Sequence, residues 1–383
     1  MSLHPTPPDE RPALRFGLLG YGFMGKAHSN ALATIPYVFA DSALRPVRQA
    51  IAGRSEDGVR RAATRYGYAA WTTDWHELVS DPQVDVFDNV AGDEAHVEPT
   101  LAALRAGRHV VCEKPLAPTV ADAQRLYDAA ARAGTCNLVC FNYRFFPAVR
   151  LAWELVRGGE LGELHQARFR YSQAWRNDPD AELPSPTGAL DIIGSHAIDQ
   201  ARFLCGEITA VSGAIATPVS RPGRSAGGRA ADRDDVVAFV AEHDDGLVST
   251  IDASLVSPGR RNHLAWELNG AHGSVAWDLE QPNLLRVYRA DGGRTAGFAD
   301  VIACEDDHPL TGAWWPTGHV LGWEHGHINM LAHFCDAVAA GRSVGPEAAS
   351  FHDGLRAAQI ADAVRTSARQ GGRIEVVPAQ EAS

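Results

Sequence analysis

The chain has 383 residues, which is enough for two domains with sizeable hydrophobic cores. Hydrophobic residues make up 45% and charged residues 21%, a composition typical of globular proteins. The net charge of −12 argues against nucleic acid as a partner, because phosphate binding needs a basic face, although a local cationic pocket remains compatible with it. No run of about 18 apolar residues is present, so we expect no membrane partner.

The first 13 residues, MSLHPTPPDERPA, lack the apolar centre of a signal peptide and predict a disordered lead-in. Six cysteines are scattered at positions 112, 136, 140, 205, 304 and 335, and they form no CxxC pair. Several lie in apolar runs, as expected for core thiols of a reduced protein. We therefore expect a cytoplasmic protein.

Short apolar strands alternate with helical stretches over residues 14–142. The strand candidates are LRFGLLG, VRQAIAG, VDVFDNV, RHVVCEK and TCNLVCFN, with segments such as EDGVRRAATRYG between them. This alternation predicts an α/β domain with a parallel sheet covered on both faces. Ligands of such sheets bind at the carboxyl ends of the strands.

The pattern changes over residues 143–383. Longer alternating strands appear, and DDG and NGAHG are typical hairpin turns. Residues 220–233, SRPGRSAGGRAADR, predict an exposed loop, and two helical stretches close the chain. We predict an α+β domain with a large, mostly antiparallel sheet for substrate binding and oligomerisation.

The stretch GLLGYGFMG follows the first strand and precedes a helix. It places Gly20, Gly22 and Gly25 at GxGxxG spacing, with Phe23 and Met24 inside the loop. The first glycine permits a tight turn, the second a close approach to a pyrophosphate, and the third close helix packing. Together with the strand–helix alternation, the motif predicts a Rossmann dinucleotide-binding domain over residues 14–142.

The choice of dinucleotide depends on the end of the second strand, where NAD enzymes usually carry an acid. Here Arg54 and Ser55 stand at that point, and a cation with a hydroxyl suits a 2′-phosphate. The sequence therefore favours NADP slightly over NAD. The alternative is that Arg54 is a solvated residue that stacks on adenine.

The fourth strand ends in CEKPLAPT. This stretch, together with GYGFMGKAHSNAL, HVEPTLAALRAGRHVVCEKPLA, FNYRFFPAV and GALDIIGSHAIDQARFL, resembles the Gfo/Idh/MocA oxidoreductase family. The resemblance extends in order over the chain from residue 14. It implies a C-terminal open-faced sheet, a homodimer or homotetramer, and oxidation of a secondary alcohol with hydride delivered to a nicotinamide. Within the family the chain is most similar to sugar and anhydrosugar dehydrogenases.

The resemblance places the family's two proton-handling residues on Lys114 and His196. Lys114 is expected to hydrogen-bond the reacting oxygen, and His196 to act as general base in oxidation and general acid in reduction. These roles agree with chemistry, because an imidazole accepts protons near neutral pH and an ammonium stabilises alkoxide character. The implied substrate is a small carbohydrate or cyclitol.

The family's acid lies four residues before the histidine, where this chain has Ile192. Asp191 lies one position earlier. On an α-helix, an i,i+4 pair is separated by about 40° and an i,i+5 pair by about 140°, so Asp191 is not expected to pair with His196 if both are helical. Three interpretations remain open: a local bulge returns Asp191 to the site, it caps the helix, or it contacts substrate from another angle.

Further candidates follow the strands of the first domain and one strand of the second. The expected cofactor-side residues, besides Lys114 and the glycine loop, are Gly92, His96, Glu113 and Asn142, with Gly92 standing where the family has a proline. The expected substrate-side residues, besides Lys114 and His196, are Tyr143, Arg144, Trp175, Arg176 and Trp315. For Asp199, a structural salt bridge is the favoured role over orienting the imidazole.

Histidines 325, 327, 333 and 352 show no ligand spacing, and no HExxH or Cys/His cluster occurs, so no metal is predicted. The leading hypothesis is an NAD(P)-dependent dehydrogenase of a cyclic polyol, sugar or glycoside. Two alternatives remain: a keto-sugar reductase with the same site, and a dinucleotide-binding sensor without catalysis, which Ile192 favours.

Overall fold

The structure is a computed structural model that describes residues 9–177, 188–216 and 234–376. Most of the predicted lead-in and the predicted loop at 220–233 lie outside the described residues.

A six-stranded parallel sheet forms the first layer, in the order β3-β2-β1-β4-β5-β6. Its strands are β1 (Ala13–Leu19), β2 (Arg45–Ala52), β3 (Ala70–Thr72), β4 (Val86–Asn89), β5 (His109–Cys112) and β6 (Asn137–Val139). This order is that of a dinucleotide-binding Rossmann sheet, with its switch point between β1 and β4. The predicted parallel sheet is confirmed.

Five helices connect these strands: α1 (Phe23–Val38), α2 (Glu56–Tyr66), α3 (Trp75–Ser80), α4 (Val97–Arg105) and α5 (Val120–Ala133). Their ends follow local chemistry. The Thr119 hydroxyl accepts a hydrogen bond from the backbone N–H of Asp122 at the start of α5, and Gly134 ends that helix in the left-handed region.

A nine-stranded sheet forms the second layer, in the order β14-β13-β12-β11-β7-β10-β9-β8-β15. Its strands are β7 (Leu164–Ser172), β8 (Ile208–Ala216), β9 (Val236–His243), β10 (Val248–Ser254), β11 (His263–Gly270), β12 (Gly273–Asp278), β13 (Leu284–Arg289), β14 (Ala299–Ile302) and β15 (Arg373–Glu375). Within this sheet, as far as the structure describes it, only the β7–β10 pair is parallel, so the predicted mostly antiparallel sheet is confirmed. On β7, Phe169 and Tyr171 are buried while Arg168 and Arg170 face outward, which is the alternation of a one-sided sheet.

The remaining helices are α6 (Pro147–Arg157), α7 (Ser195–Cys205), α8 (Trp323–Ala340) and α9 (Phe351–Gln370). Helix α8 packs against α1, and α9 packs against α5 and β8. Phe16 on β1, Leu32 on α1 and Phe334 on α8 belong to one buried apolar cluster. The last helices of the chain therefore complete the core of the first sheet.

Among the described residues, none of the helices is both long and apolar enough to cross a membrane. The division of the chain into domains at residue 142 stays a prediction.

Candidate functional site

The glycine loop follows β1 at the switch point of the parallel sheet. Gly20 has a φ of +105°, and a Cβ on it would approach the Val90 carbonyl oxygen to 2.9 Å. A Cβ on Gly25 would lie 2.6 Å from the Gly20 carbonyl oxygen, whereas nothing lies within 4 Å of one on Gly22. The loop therefore has a strained turn, tight helix packing and open space where a pyrophosphate has to approach.

The first turn of α1 carries no acidic side chain, so its N-terminal N–H groups are free of a neighbouring negative charge and can donate hydrogen bonds to a bound anion. At the end of β2, Arg54 is exposed, and the Ser55 hydroxyl accepts a hydrogen bond from the Gly58 N–H and so caps α2. Phe23 is 70% exposed, and Met24 packs beside a small apolar cluster. The chain's own residues fit a dinucleotide in this crevice.

His96 holds two loops of the crevice together. It is fully buried, with Nδ1 2.8 Å from the Pro115 carbonyl oxygen and Nε2 3.1 Å from that of Ala91. Because both ring nitrogens face backbone carbonyls, none is left for a dinucleotide, and the prediction that His96 contacts the cofactor is not supported. Gly92, in the same loop, is exposed with open space above it.

Lys114 follows β5 and reaches the start of the helix that carries His196. Its Nζ donates a hydrogen bond of 2.8 Å to the carbonyl oxygen of Ile192. Ile192 occupies the family's acid position, so a backbone carbonyl takes the place that a carboxylate would have. This oxygen holds the ammonium without adding a titratable group.

Residues 190–194 form one π-helical turn ahead of α7, which is the local bulge that the sequence left open. The condition that both residues are α-helical is therefore not met. The carboxylate of Asp191 nevertheless pairs with the Arg365 guanidinium of α9. The capping interpretation has no structural support, because the Leu190 N–H at the start of this turn donates to the carboxylate of Asp234 at 2.7 Å.

His196 lies in the first turn of α7, among aromatic rings. Its ring centroid is 4.7 Å from that of Tyr143, 5.8 Å from Phe141 and 5.9 Å from Tyr171. Its Nδ1 is buried with no hydrogen-bond partner among the described residues. Burial, with the charges of Lys114 and His327 added, holds the pKa of His196 well below its usual range. The imidazole is therefore neutral near pH 7, as a general base must be.

A chain of polar side chains lies beside His196 on the inner face of the large sheet. The hydroxyls of Tyr143 and Tyr171 are 2.9 Å apart, and Tyr171 donates to the Asn262 amide oxygen at 2.7 Å. Gln173 also donates to that oxygen at 2.7 Å, and the Trp175 indole N–H donates to Gln173 at 2.7 Å. We call these five side chains the polar wall.

Sequence reasoning found two members of the polar wall, Tyr143 and Trp175, and missed Tyr171, Gln173 and Asn262. The missed signal is the alternation along RYSQAW, which places Tyr171 and Gln173 on one face of the strand. Asn262 comes from a distant loop, and nothing near it in sequence marks it.

Two predicted substrate contacts are buried ion pairs instead. The Arg144 guanidinium donates to the Asp199 carboxylate at 2.6 Å and to Asp353 at 3.2 Å. Arg176 donates to Asp235 at 3.0 Å and is almost fully buried. The prediction that these two arginines bind substrate has no structural support, since each guanidinium is buried against a carboxylate. The favoured salt-bridge role of Asp199 is confirmed.

Trp315 is 48% exposed, and its neighbour Trp314 donates its indole N–H to the Asn329 amide oxygen at 2.8 Å. No contact links Trp315 to His196 or Lys114. A direct substrate role for Trp315 therefore stays a prediction without structural support.

Trp323, which sequence reasoning did not select, connects the two halves of the crevice. Its ring stacks on Phe23 of the glycine loop, with centroids 5.4 Å apart, and lies 4.5 Å from the ring of His327. Burial raises the pKa of the Tyr143 phenol, and the nearby Trp323 side chain acts in the opposite direction and lowers it. Asn142 contacts His327 weakly, at 3.4 Å between Nδ2 and Nδ1.

Beneath the crevice lies a buried cluster of His28, Asp88, Glu113 and Cys140, with Glu113 immediately before Lys114. Within the described part of the chain, His28, Glu113 and Cys140 are the one group of His, Cys, Asp or Glu side chains close enough to share a metal ion. The sequence prediction of no metal is left untested.

A Rossmann sheet with a glycine loop, and a lysine and a neutral histidine at its crevice, define the class of protein: a dinucleotide-dependent oxidoreductase. Residues 14–141 match the model of the oxidoreductase family with an NAD-binding Rossmann fold, and residues 149–276 match the GFO/IDH/MocA C-terminal domain. The chain therefore belongs to the GFO/IDH/MocA family, as its motifs predict.

Levoglucosan dehydrogenase of Pseudarthrobacter phenanthrenivorans is 35% identical over 95% of this chain and 98% of its own. D-apiose dehydrogenase of Paraburkholderia graminis is 27% identical over 94% of this chain and 88% of its own. The solved structure of levoglucosan dehydrogenase in complex with NADH superposes with a TM-score of 0.90, at 35% identity, over 96% of this chain and 100% of that one. The expected fold and the class of NAD-binding dehydrogenase acting on sugars or polyols are confirmed.

Proposed function

We propose that the protein oxidises a secondary alcohol of a cyclic polyol, sugar or glycoside, with Lys114 and His196 handling the proton. The observation that carries this proposal is their arrangement: Lys114 is held by the Ile192 carbonyl at 2.8 Å, and its charge reaches the neutral imidazole of His196. A bound nicotinamide supplies the hydride acceptor, and the protein's task is to place the alcohol and take its proton.

In the proposed mechanism His196 is the general base and Lys114 the electrostatic partner of the reacting oxygen. The imidazole removes the hydroxyl proton while the ammonium stabilises the alkoxide character that develops on that oxygen. The Ile192 carbonyl fixes the ammonium without competing for the proton. In the reverse direction the protonated imidazole returns the proton, so the same residues support reduction of a keto-sugar.

The polar wall supports a substrate with several hydroxyl groups. Gln173, Asn262 and two tyrosine hydroxyls present both donors and acceptors within one connected chain. The half-buried indoles of Trp175 and Trp323 lie beside these polar atoms, and an aromatic face with adjacent donors suits a carbohydrate ring. The relatives named for levoglucosan and apiose point to the same substrate class.

For the cofactor, we propose that the enzyme takes both dinucleotides and prefers NADP through Arg54. The support is an exposed guanidinium at the end of β2, where an acid is missing. The solved relative that holds NADH supports use of NAD as well. Comparing kcat/KM for NAD and NADP in the wild type and in Arg54→Ala tests this: the variant should lose efficiency with NADP only.

We also propose a cytoplasmic homodimer or homotetramer. Five of the six cysteines are buried as free thiols, which suits a reducing compartment. The outer face of β7 and its neighbours carries arginines next to acids, such as Arg170 beside Asp252, which a second copy can cover. Sedimentation equilibrium of the purified protein measures the assembly state.

The deciding experiment follows reduction of NAD and NADP spectroscopically with inositols, levoglucosan, aldoses and simple glycosides. Turnover of at least one ring polyol, abolished in Lys114→Ala and His196→Ala, is expected. If the wild type binds both dinucleotides but turns over no alcohol and reduces no keto-sugar, the proposal fails and the sensor alternative takes its place.

A further inference from the structure

A buried charge chain lies directly below Lys114. Asp88 lies on β4, and both of its carboxylate oxygens are 3.0 Å from Nδ1 of His28 on α1. The other ring nitrogen, Nε2, lies 3.4 Å from Oε1 of Glu113. All three side chains are buried, the first two with no exposed surface.

Glu113 links this chain to Lys114. Its second oxygen, Oε2, accepts the backbone N–H of Lys114 at 3.0 Å. One carboxylate therefore joins the His28 imidazole on one side to the backbone of Lys114 on the other. A displacement of Glu113 moves the residue whose ammonium has to meet the reacting oxygen.

The imidazole of His28 has a carboxylate near each nitrogen: Nδ1 is hydrogen-bonded to Asp88, and the Glu113 carboxylate lies within ion-pair distance of Nε2 without a hydrogen bond. Burial alone lowers the pKa of His28, but the charge and hydrogen bond of Asp88 outweigh burial, with help from Cys140, and raise that pKa well above its usual range. The groups around the imidazole are Asp88, Glu113, Cys140, the ring of His327 at 5.9 Å, and Tyr68, whose hydroxyl contacts Ser29.

We propose that Asp88, His28 and Glu113 form a positioning chain that fixes Lys114 for catalysis. The inference rests on the proposed function only in giving Lys114 a catalytic role. The polar contacts that the structure shows for these side chains are with one another, with Cys140 and with the Lys114 backbone, so we assign them a positioning role. The positioning chain acts through the Glu113 contact with the Lys114 backbone.

The sequence offers an unusual probe, because Lys26 and Lys114 are its only two lysines. Protein labelled with ¹³C-lysine therefore gives two Cε signals, and Lys26→Arg assigns them. The variants are His28→Gln, Glu113→Gln and the double variant. His243→Gln is the matched control: His243 is also a buried, hydrogen-bonded histidine, but its contacts are Gly206 and Ser249 in the other domain.

Each single variant should lower kcat by about 100-fold, the scale of a misplaced catalytic group, with little change in the Kd of NADH. The Lys114 Cε signal should move while that of Lys26 stays. The double variant should retain far more activity than the product of the two single losses predicts, because both changes break the same chain of contacts to Lys114. His243→Gln should keep both kcat and the Lys114 signal.

An unmoved Lys114 signal, or losses in the double variant that simply multiply, would overturn the positioning chain. So would about one equivalent of zinc in metal analysis of the wild type that is lost in His28→Gln, since a metal bound to His28, Glu113 and Cys140 would replace the contact between His28 and Glu113. If no alcohol is turned over, the proposed function fails separately, while the Lys114 signal still decides the placement of that side chain.

Discussion

The ammonium of Lys114 is held at 2.8 Å by the carbonyl oxygen of Ile192, at the position where the family carries an acid. A carbonyl can accept this hydrogen bond but cannot take up a proton in the working pH range. Lys114 therefore keeps its orientation while His196 alone accepts the substrate's proton.

Replacing the proton-handling pair should abolish turnover and leave dinucleotide binding intact. Lys114→Ala and His196→Ala are each expected to lower kcat by about 10² to 10⁴-fold, the usual contribution of one acid–base group. NADH binding, followed by fluorescence, should stay near the wild-type Kd because neither side chain builds the glycine loop. Full turnover in either variant would remove that residue from the mechanism.

Asp191→Asn should retain catalysis and lose stability. Its carboxylate pairs with Arg365, and the two side chains are 18% and 30% exposed, so the pair is worth about 1 kcal/mol in the free energy of unfolding. We expect kcat within about threefold of the wild type, a range small against the loss expected for a catalytic group, and a lower urea midpoint. Arg365→Gln should give the same pattern. A large loss of kcat in Asp191→Asn alone would instead place this acid in the reaction.

The pH profile should reveal the buried imidazole. Because the neutral form of His196 is the active base and its pKa is held well below the usual 6.5, the acid limb of kcat/KM for oxidation should lie below pH 6.5. Activity is then retained as the pH falls through 6.5. An acid limb above that value, measured with a substrate that does not itself titrate, would contradict a desolvated His196.

Acid stability should depend on Glu207. Burial opposes its ionisation, but hydrogen bonds and charges of Arg202 and Arg356 prevail and lower the pKa of Glu207 from 4.5 to about 2. A lowered folded pKa means that the stabilisation is fully present above pH 4.5 and is lost as the pH falls towards 2. That difference of about 2.5 pH units corresponds to about 3 kcal/mol in the free energy of unfolding.

Glu207→Gln should therefore be less stable than the wild type at pH 7, and its stability should fall less between pH 5 and pH 2. Urea unfolding at several pH values measures both. Parallel pH dependences of the two proteins would show that Glu207 is not the group responsible.

Gln173 should affect substrate affinity through the polar wall. Gln173→Leu removes the donor to Asn262 and the acceptor for Trp175, and we expect KM for a ring polyol to rise about tenfold, the cost of about one buried hydrogen bond. Gln166→Leu is the control, because Gln166 lies near β7's other end and faces solvent. Equal KM values in the two variants would exclude Gln173 from substrate binding.

The parallel sheet and the glycine loop could be predicted because strand–helix alternation and glycine spacing are local patterns, whereas Lys114 and His196 were selected through the resemblance to the family. The ion pairs of Arg144 and Arg176 could not be predicted, because an arginine near a crevice looks the same in sequence whether or not a carboxylate lies against it. Their partners include Asp353 and Asp235, which are distant in sequence. No local pattern pairs residues so far apart.

The π-helical turn was beyond local reasoning for a related reason. The local sequence GALDIIGSH does not distinguish a π-helical from an α-helical turn, and the wider turn has contacts from other elements: Asp234 at its start and Lys114 at the Ile192 carbonyl. Trp323 and His28 were missed because each lies in a helix whose sequence pattern shows only which side is buried.

The two sheets cannot be exchanged as independent modules. Helix α8 lies late in the chain yet shares a buried apolar cluster with β1 and α1, and the Val139 N–H of β6 donates to the Ala349 carbonyl oxygen at 2.8 Å. A chimera that joins this nucleotide-binding sheet to another relative's large sheet therefore has to bring residues 323–349 from the same parent as residues 13–139. A crossover placed only in the middle of the chain would leave Phe16 and Leu32 packed against a foreign helix surface.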